Sequence, residues 1–101
     1  MATQTSLSLN SVPIRLTSER WWHIVENHDD LAGYYDDVLE TVENPQLLLR
    51  GHAGSLIAVR NYGRNRYLMV VYREKTADDG FIVTAFFTDK VDRKQAIWTQ
   101  P

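Results

Sequence analysis

The sequence of 101 residues contains no cysteine. This absence excludes disulfide bonds, thiolate nucleophiles and cysteine-based zinc sites. No stretch approaches the roughly 20 apolar residues that a membrane-spanning helix needs. The opening segment, MATQTSLSLN, lacks the basic start and the apolar run of a signal peptide. We therefore expect a cytoplasmic protein that does not enter a membrane.

Several enzyme motifs are also missing. There is no G-x-G-x-x-G, no phosphate-binding glycine loop, no G-x-S-x-G and no H-E-x-x-H. The spacing of His23 and His28 rotates a helix by about 140°, so their rings cannot meet one ion on one helix face. We therefore expect neither a cofactor nor a metal site. Histidine proton transfer with arginine charge stabilisation remains, and it suffices for metal-free RNA cleavage because RNA supplies its own 2′-hydroxyl nucleophile.

Charge is divided unevenly along the chain. Residues 1–45 hold two arginines against eight carboxylates, whereas residues 46–101 hold nine lysines and arginines against five carboxylates. Seven of these basic residues lie between Arg50 and Lys90, in a region with the pattern of a β-sheet. A cationic sheet surface suits a polyanion such as RNA, although ordinary solvation of a strand-rich half produces the same composition.

Helical periodicity precedes strand periodicity, with Pro45 between them. Apolar residues recur at helical spacing over about 18–28, and again in a second predicted helix that Asp29 or Asp30 caps and that ends before Asn44. We predict an α+β fold in which two N-terminal helices pack on a four-stranded antiparallel β-meander, followed by a short C-terminal helix or tail. Residues 1–11 are expected to be disordered or frayed and residues 12–98 to form one domain. The four β-rich runs are 46–52, 55–62, 66–74 and 81–88.

The strand register decides which side chains share a sheet face. If the hairpin places Tyr62 opposite Tyr67, Arg60 turns away from the helices. The same face then carries a mixed set of cations, phenols and hydroxyls on an apolar floor, as a binding surface would. A one-residue slip would exchange the two faces, and a shared site would then not form. The polar members of this predicted face are Arg60, Tyr62, Tyr67, Arg73, Thr84 and Thr88.

Each candidate residue has a functional and a structural interpretation. A histidine of the first helix is a candidate acid or base, but it can also be packed or solvated. Arg60 is a candidate for stabilising phosphate charge, and its alternative is an ion pair with Glu74 or Glu43. Threonines are ordinary strand residues. The candidate catalytic residues are His23, His28, Arg60, Thr84 and Thr88, and the candidate RNA-binding residues are Arg50, Arg64, Arg66 and Arg73.

Several segments together resemble the small prokaryotic and phage-borne domains of the barnase-EndoU-colicin-RelE nuclease superfamily. They are E-R-W-W-H-I-V-E-N-H-D-D-L, Y-D-D-V-L-E-T-V-E-N-P, R-G-H-A-G, L-I-A-V-R, Y-L-M-V-V-Y-R-E and D-G-F-I-V-T-A-F-F-T. The resemblance covers about residues 12–98. It implies two helices before a four-stranded antiparallel sheet, with active-site polar residues at the positions of the candidate histidines, Arg60 and the candidate threonines.

The resemblance also implies a function. Many such domains are metal-independent ribonucleases, often toxins paired with an antitoxin. We therefore expect an endoribonuclease-like domain whose partners are RNA and an acidic antitoxin or inhibitor protein. The alternative is a non-catalytic module that binds a protein or nucleic acid on a degenerate nuclease fold.

Overall fold

Two short helices lie on one face of the sheet. In the computed structural model, which describes residues 3–101, α1 spans Ser18–Asn27 and α2 spans Tyr35–Glu43. The second helix begins later than predicted because Asp29–Leu31 form a separate 3₁₀ turn, and Gly33 then adopts a φ of +90° that a right-handed helix does not allow. No helix of the described part is long and apolar enough to cross a bilayer.

Seven strands form a single sheet. Their order across the sheet is β1-β2-β6-β5-β4-β3-β7. Neighbours from β3 to β6 are antiparallel, whereas β2 pairs with β6 in parallel. The strands are β1 Gln4–Leu7, β2 Pro13–Leu16, β3 Leu47–Arg50, β4 Leu56–Asn61, β5 Tyr67–Thr76, β6 Asp79–Thr88 and β7 Ala96–Thr99.

The predicted two-helix, four-stranded antiparallel architecture is wrong, because the sheet is mixed and has three further strands. β1 and β2 pair with each other, and β2 extends the sheet beyond β6. The expected C-terminal helix or tail contains a 3₁₀ turn at Arg93–Gln95 and then β7, which pairs with β3. These added strands have four residues each, which is short for a clear periodic pattern.

The N-terminal segment is tied to the sheet. Residues 4–7, which belong to the stretch expected to fray, form β1. The side chains of Ser8 and Asn10 donate hydrogen bonds to the carboxylate of Glu74. Met1 and Ala2, which the same prediction covers, lie outside the described residues.

The β4–β5 hairpin differs from the predicted register by one residue. Asn61, rather than Tyr62, lies opposite Tyr67, and Arg60 lies opposite Leu68. The cause is Gly63, which has a φ of +85° and adds a bulged residue ahead of the tight turn. Because side chains alternate along a strand, this shift moves Arg60 to the face beneath the helices.

The two sheet faces have separate apolar clusters. The face beneath the helices, the helix side, holds the larger core, which includes Leu68, Val70 and Tyr72. On the opposite face, the outer face, a smaller cluster forms around Val59 and Met69. The connection from β6 to β7 crosses this face and covers one end of it, because Val91 and Ala96 pack on the smaller cluster.

An ion pair joins β2 to β6 where the two strands run parallel. Arg15 Nε lies 2.8 Å from Asp79 Oδ1, and a second guanidinium nitrogen lies 3.2 Å from Oδ2. The hydrogen bond from Arg15 is the main cause that lowers the pKa of Asp79 below its ordinary value of 3.8. A lowered folded-state pKa means that the pair stabilises the fold above about pH 4, and this contribution is lost as the pH falls through the folded-state pKa.

We predict that Arg15→Gln raises the pKa of Asp79 toward 3.8. The measurement is a carbon-13 NMR titration of the Asp79 carboxyl group in both proteins. Arg50→Gln is the control, since Arg50 is an exposed cation on a different strand and should leave the titration unchanged. An identical Asp79 titration in the wild type and in Arg15→Gln would contradict this account of the β2–β6 junction.

Candidate nucleic-acid interface

The outer face of β6 carries the two candidate threonines. Thr84, Phe86 and Thr88 alternate along the strand and lie opposite Val71, Met69 and Tyr67 of β5, respectively. All three β6 side chains are partly exposed to solvent. We call the patch formed by Tyr67, Val71, Thr84, Phe86 and Thr88 the outer-face site.

His28 reaches this site from the end of α1. It is the C-terminal cap of the helix, and its backbone N–H donates to the Ile24 carbonyl at 2.8 Å. β2 pairs with β6 only at Gly80 and Phe81, so α1 and the following 3₁₀ turn pack against the rest of β6. The half-buried His28 ring lies 5.9 Å from the Phe86 ring, centroid to centroid. His28 therefore borders the outer-face site, with Thr84 and Thr88 on either side of Phe86.

The hydroxyl of Thr88 helps to hold the turn that follows β6. Thr88 Oγ1 accepts a hydrogen bond from the Lys90 N–H at 3.3 Å and lies 3.4 Å from the Lys90 carbonyl oxygen. This interaction keeps Lys90, an exposed cation, next to the outer-face site. Thr88 therefore holds the backbone of the turn that carries Lys90.

The four candidate RNA-binding arginines lie at different places on the sheet. Arg73 is half-buried on the outer face opposite Phe81. Its guanidinium lies beside the turn at Gly54. A terminal nitrogen of Arg73 is 3.9 Å from the position that a Cβ atom on Gly54 would occupy. Arg50 is exposed at the end of β3, and Arg64 and Arg66 are exposed in and next to the β4–β5 turn. Only Arg73 projects from the outer face itself.

Arg60 lies on the helix side and is partly neutralised there. A terminal guanidinium nitrogen is 3.7 Å from both Asp37 Oδ2 and Glu40 Oε2 on α2. The guanidinium carbon also lies 4.9 Å from the centre of the Tyr62 ring. Arg60 therefore forms ion pairs within the fold, and its partners are Asp37 and Glu40 and not Glu74 or Glu43.

The structure brings only part of the predicted catalytic set together. His28, Thr84 and Thr88 lie at the outer-face site, whereas Arg60 is on the opposite face of the sheet. His23 is exposed on α1, where its carbonyl accepts a hydrogen bond from the Asn27 side chain. A single site that uses Arg60 and the threonines together does not form.

Sequence reasoning missed a second polar and aromatic assembly, which we call the hairpin cluster. It consists of Tyr34, Tyr62, Arg66 and Phe87, and the three rings pack edge to face at centroid distances of 5.0 to 6.1 Å. The Tyr62 hydroxyl donates a hydrogen bond to Asp37. Burial, followed by this hydrogen bond, raises the pKa of the Tyr62 phenol, so the group stays neutral. The arrangement depends on the bulge at Gly63, which the sequence pattern did not indicate.

Other surfaces offer less chemistry. Among residues 3–101, no group of three or more histidine, aspartate or glutamate side chains is placed to hold a metal ion. An apolar groove of about 430 Å³ lies beside α1 and has no titratable side chain in its lining. Its lining residues are Ser18, Trp21, Trp22, Val25, Ala32 and Gly33.

We predict that Arg60→Gln lowers the free energy of unfolding by at most about 1 kcal/mol. The contacts to Asp37 and Glu40 are long and the Arg60 side chain is 36% exposed, so solvent screens the attraction. Urea denaturation followed by circular dichroism measures the change. The control is Arg64→Gln, since Arg64 is exposed in the turn and forms no salt bridge within residues 3–101. A loss of several kcal/mol in Arg60→Gln would mean that the pair is a principal support of the helix side.

Comparison of the chain with protein-family models, with curated proteins and with solved structures found no match.

Proposed function

We propose that the protein is a metal-independent endoribonuclease that binds single-stranded RNA on the outer face of its sheet. The observation that carries the proposal is the contact between the His28 ring and Phe86, with Thr84 and Thr88 on either side. A histidine beside a partly exposed aromatic ring offers proton transfer and base stacking at the same place.

The outer-face site favours a single strand over a duplex. Tyr67 and Phe86 are partly exposed on the outer face, and unpaired bases stack on such rings. In a duplex the ring faces of the bases are occupied by neighbouring bases. Discrimination between the four bases is expected to be weak, because every base has a face that can stack.

The charge distribution supports an anionic ligand on this side of the molecule. α2 neutralises the Arg60 guanidinium on the helix side through Asp37 and Glu40. Arg73 and Lys90 form no salt bridge within residues 3–101. These two cations flank the outer-face site and attract phosphate groups.

In this mechanism the 2′-hydroxyl of RNA attacks the adjacent phosphorus, and the bond to the 5′-oxygen of the next nucleotide breaks. His28 takes the proton from the 2′-hydroxyl or gives one to the leaving oxygen. Arg73 replaces Arg60 as the arginine that stabilises the negative charge of the crowded phosphate. The proposal includes a cytoplasmic location, where RNA is available, and inhibition by an acidic protein that covers the same cations.

The second candidate is a non-catalytic module that binds RNA or an acidic protein at the same site. It is favoured by the position of Arg60 and His23 away from the threonines, which leaves one histidine at the outer-face site. General acid–base cleavage with a single histidine needs water or a second group as the other proton carrier. Affinity without strand cleavage would identify this candidate.

We predict that His28→Ala lowers the rate of RNA cleavage by roughly 10²- to 10⁴-fold, the contribution of one general acid or base. Cleavage of a fluorogenic single-stranded RNA is measured in the presence of a metal chelator. His23→Ala is the matched control, because His23 is exposed on the same helix but lies away from the site.

A second control replaces the ribose at every position of the oligonucleotide with deoxyribose. The wild-type protein should not cleave this strand, since the nucleophile is missing. Equal loss of activity in both histidine variants would contradict the assignment of His28. Binding of RNA by the wild type without any cleavage would select the non-catalytic candidate.

A further inference from the structure

The hairpin cluster contains Arg66, whose contacts differ from those of Arg60. The guanidinium carbon of Arg66 lies 4.0 Å from the centre of the Phe87 ring and 5.8 Å from the centre of the Tyr34 ring. Both distances are within the range of a cation–π interaction, which is about 6 Å. The supporting rings are themselves fixed by edge-to-face packing with Tyr62.

Arg60 and Arg66 contact the same aromatic cluster, but only Arg60 is neutralised. Arg60 lies between two carboxylates at 3.7 Å. Arg66 is exposed and forms no salt bridge within residues 3–101. An arginine that rests on a ring keeps its N–H donors, which lie in the guanidinium plane, available to a ligand. Arg66 is therefore a fixed cation whose hydrogen-bonding capacity is unused.

We propose that Arg66, supported by Phe87, is a binding subsite for a phosphate group. A phosphate presents paired oxygen acceptors that match the fork of N–H donors on a guanidinium. The contact with the ring limits the freedom that a flexible surface arginine would lose on binding.

The position of this subsite points to RNA as the source of the phosphate. Arg66 directly precedes Tyr67, whose partner across the sheet is Thr88. The guanidinium packs on Phe87, which faces the helix side, so a strand that leaves the outer-face site at Thr88 reaches Arg66 by passing around the hairpin end of the sheet. The inference rests on the proposed function, because it names a contact of the same RNA strand.

The test compares Arg66→Gln with Arg60→Gln as matched variants. Affinity for a 2′-O-methyl RNA strand, which has no free 2′-hydroxyl to react, is measured over a range of salt concentrations. The plot of log K against log salt has a negative slope. Loss of one phosphate contact makes this slope shallower by about 0.7 and lowers the affinity about fivefold at 0.1 M salt. We expect this change in Arg66→Gln and no change in Arg60→Gln.

Phe87→Leu tests the role of the ring. It keeps an apolar side chain but removes the aromatic face, so it should weaken RNA binding while Arg66 remains in place. Thermal unfolding of each variant checks that the fold is retained. If Phe87→Leu binds as the wild type does, the ring does not support the subsite and the proposal is overturned.

The result also separates this inference from the proposed function. If the wild type binds RNA and Arg66→Gln binds it with unchanged affinity and slope, the subsite is wrong and the proposed function stands. If the wild type does not bind RNA, the proposed function fails. A titration with inorganic phosphate then tests the subsite alone by NMR. A shift of the Arg66 side-chain N–H signal without one at Arg60 supports the subsite, and equal or absent shifts overturn it.

Discussion

The bulge at Gly63 determines which side chains of β4 face the helices, and the contacts of Arg60 and Tyr62 follow from it. Its φ of +85° is a conformation that glycine adopts without strain, and the extra residue shifts β4 against β5 by one position. Arg60 and Tyr62 consequently face α2. There Asp37 accepts a hydrogen bond from the Tyr62 hydroxyl and forms an ion pair with Arg60. Without the bulge, these polar side chains would lie on the outer face.

This arrangement separates structural charge from available charge. Beneath α2, Arg60 lies near two carboxylates, so half-burial of its guanidinium is compensated. On the outer face and at the hairpin, Arg73, Lys90 and Arg66 have no such partners among the described residues. α2 carries four of the eight carboxylates of the first 45 residues, and it lies on the helix side. The molecule therefore presents its cations where an anionic strand can approach.

The sequence was a better guide to strands with a long repeating pattern than to short strands or to bulges. The pairing of Thr84 with Val71 agrees with the predicted register, because a second bulge, between Val71 and Tyr72, compensates a shift nearer the turn. The predicted register at Arg60 was wrong. Gly63 can occupy either a simple turn or a bulge, and the local sequence does not distinguish these two conformations. β1 and β7 were missed since four residues show no clear period and their partners are distant in the chain.

The candidate site was also only partly predictable from the sequence. The threonines could be placed on one face from strand alternation alone. The approach of His28 to Phe86 depends on how α1 packs beside β6, and the contact of Arg66 with Phe87 depends on the bulged hairpin. Both are tertiary contacts that a helical or strand pattern does not encode.

If the protein binds RNA as proposed, the RNA contacts the outer face and not the helix side. Backbone amide NMR spectra recorded during titration with a short 2′-O-methyl RNA strand test it most directly. We expect the signals of Tyr67, Arg73, Thr84, Phe86 and Thr88 to shift, while those of Trp22, His23 and Glu40 stay in place. Shifts confined to α1 and α2, or no shift at any RNA concentration that the protein tolerates, would contradict it.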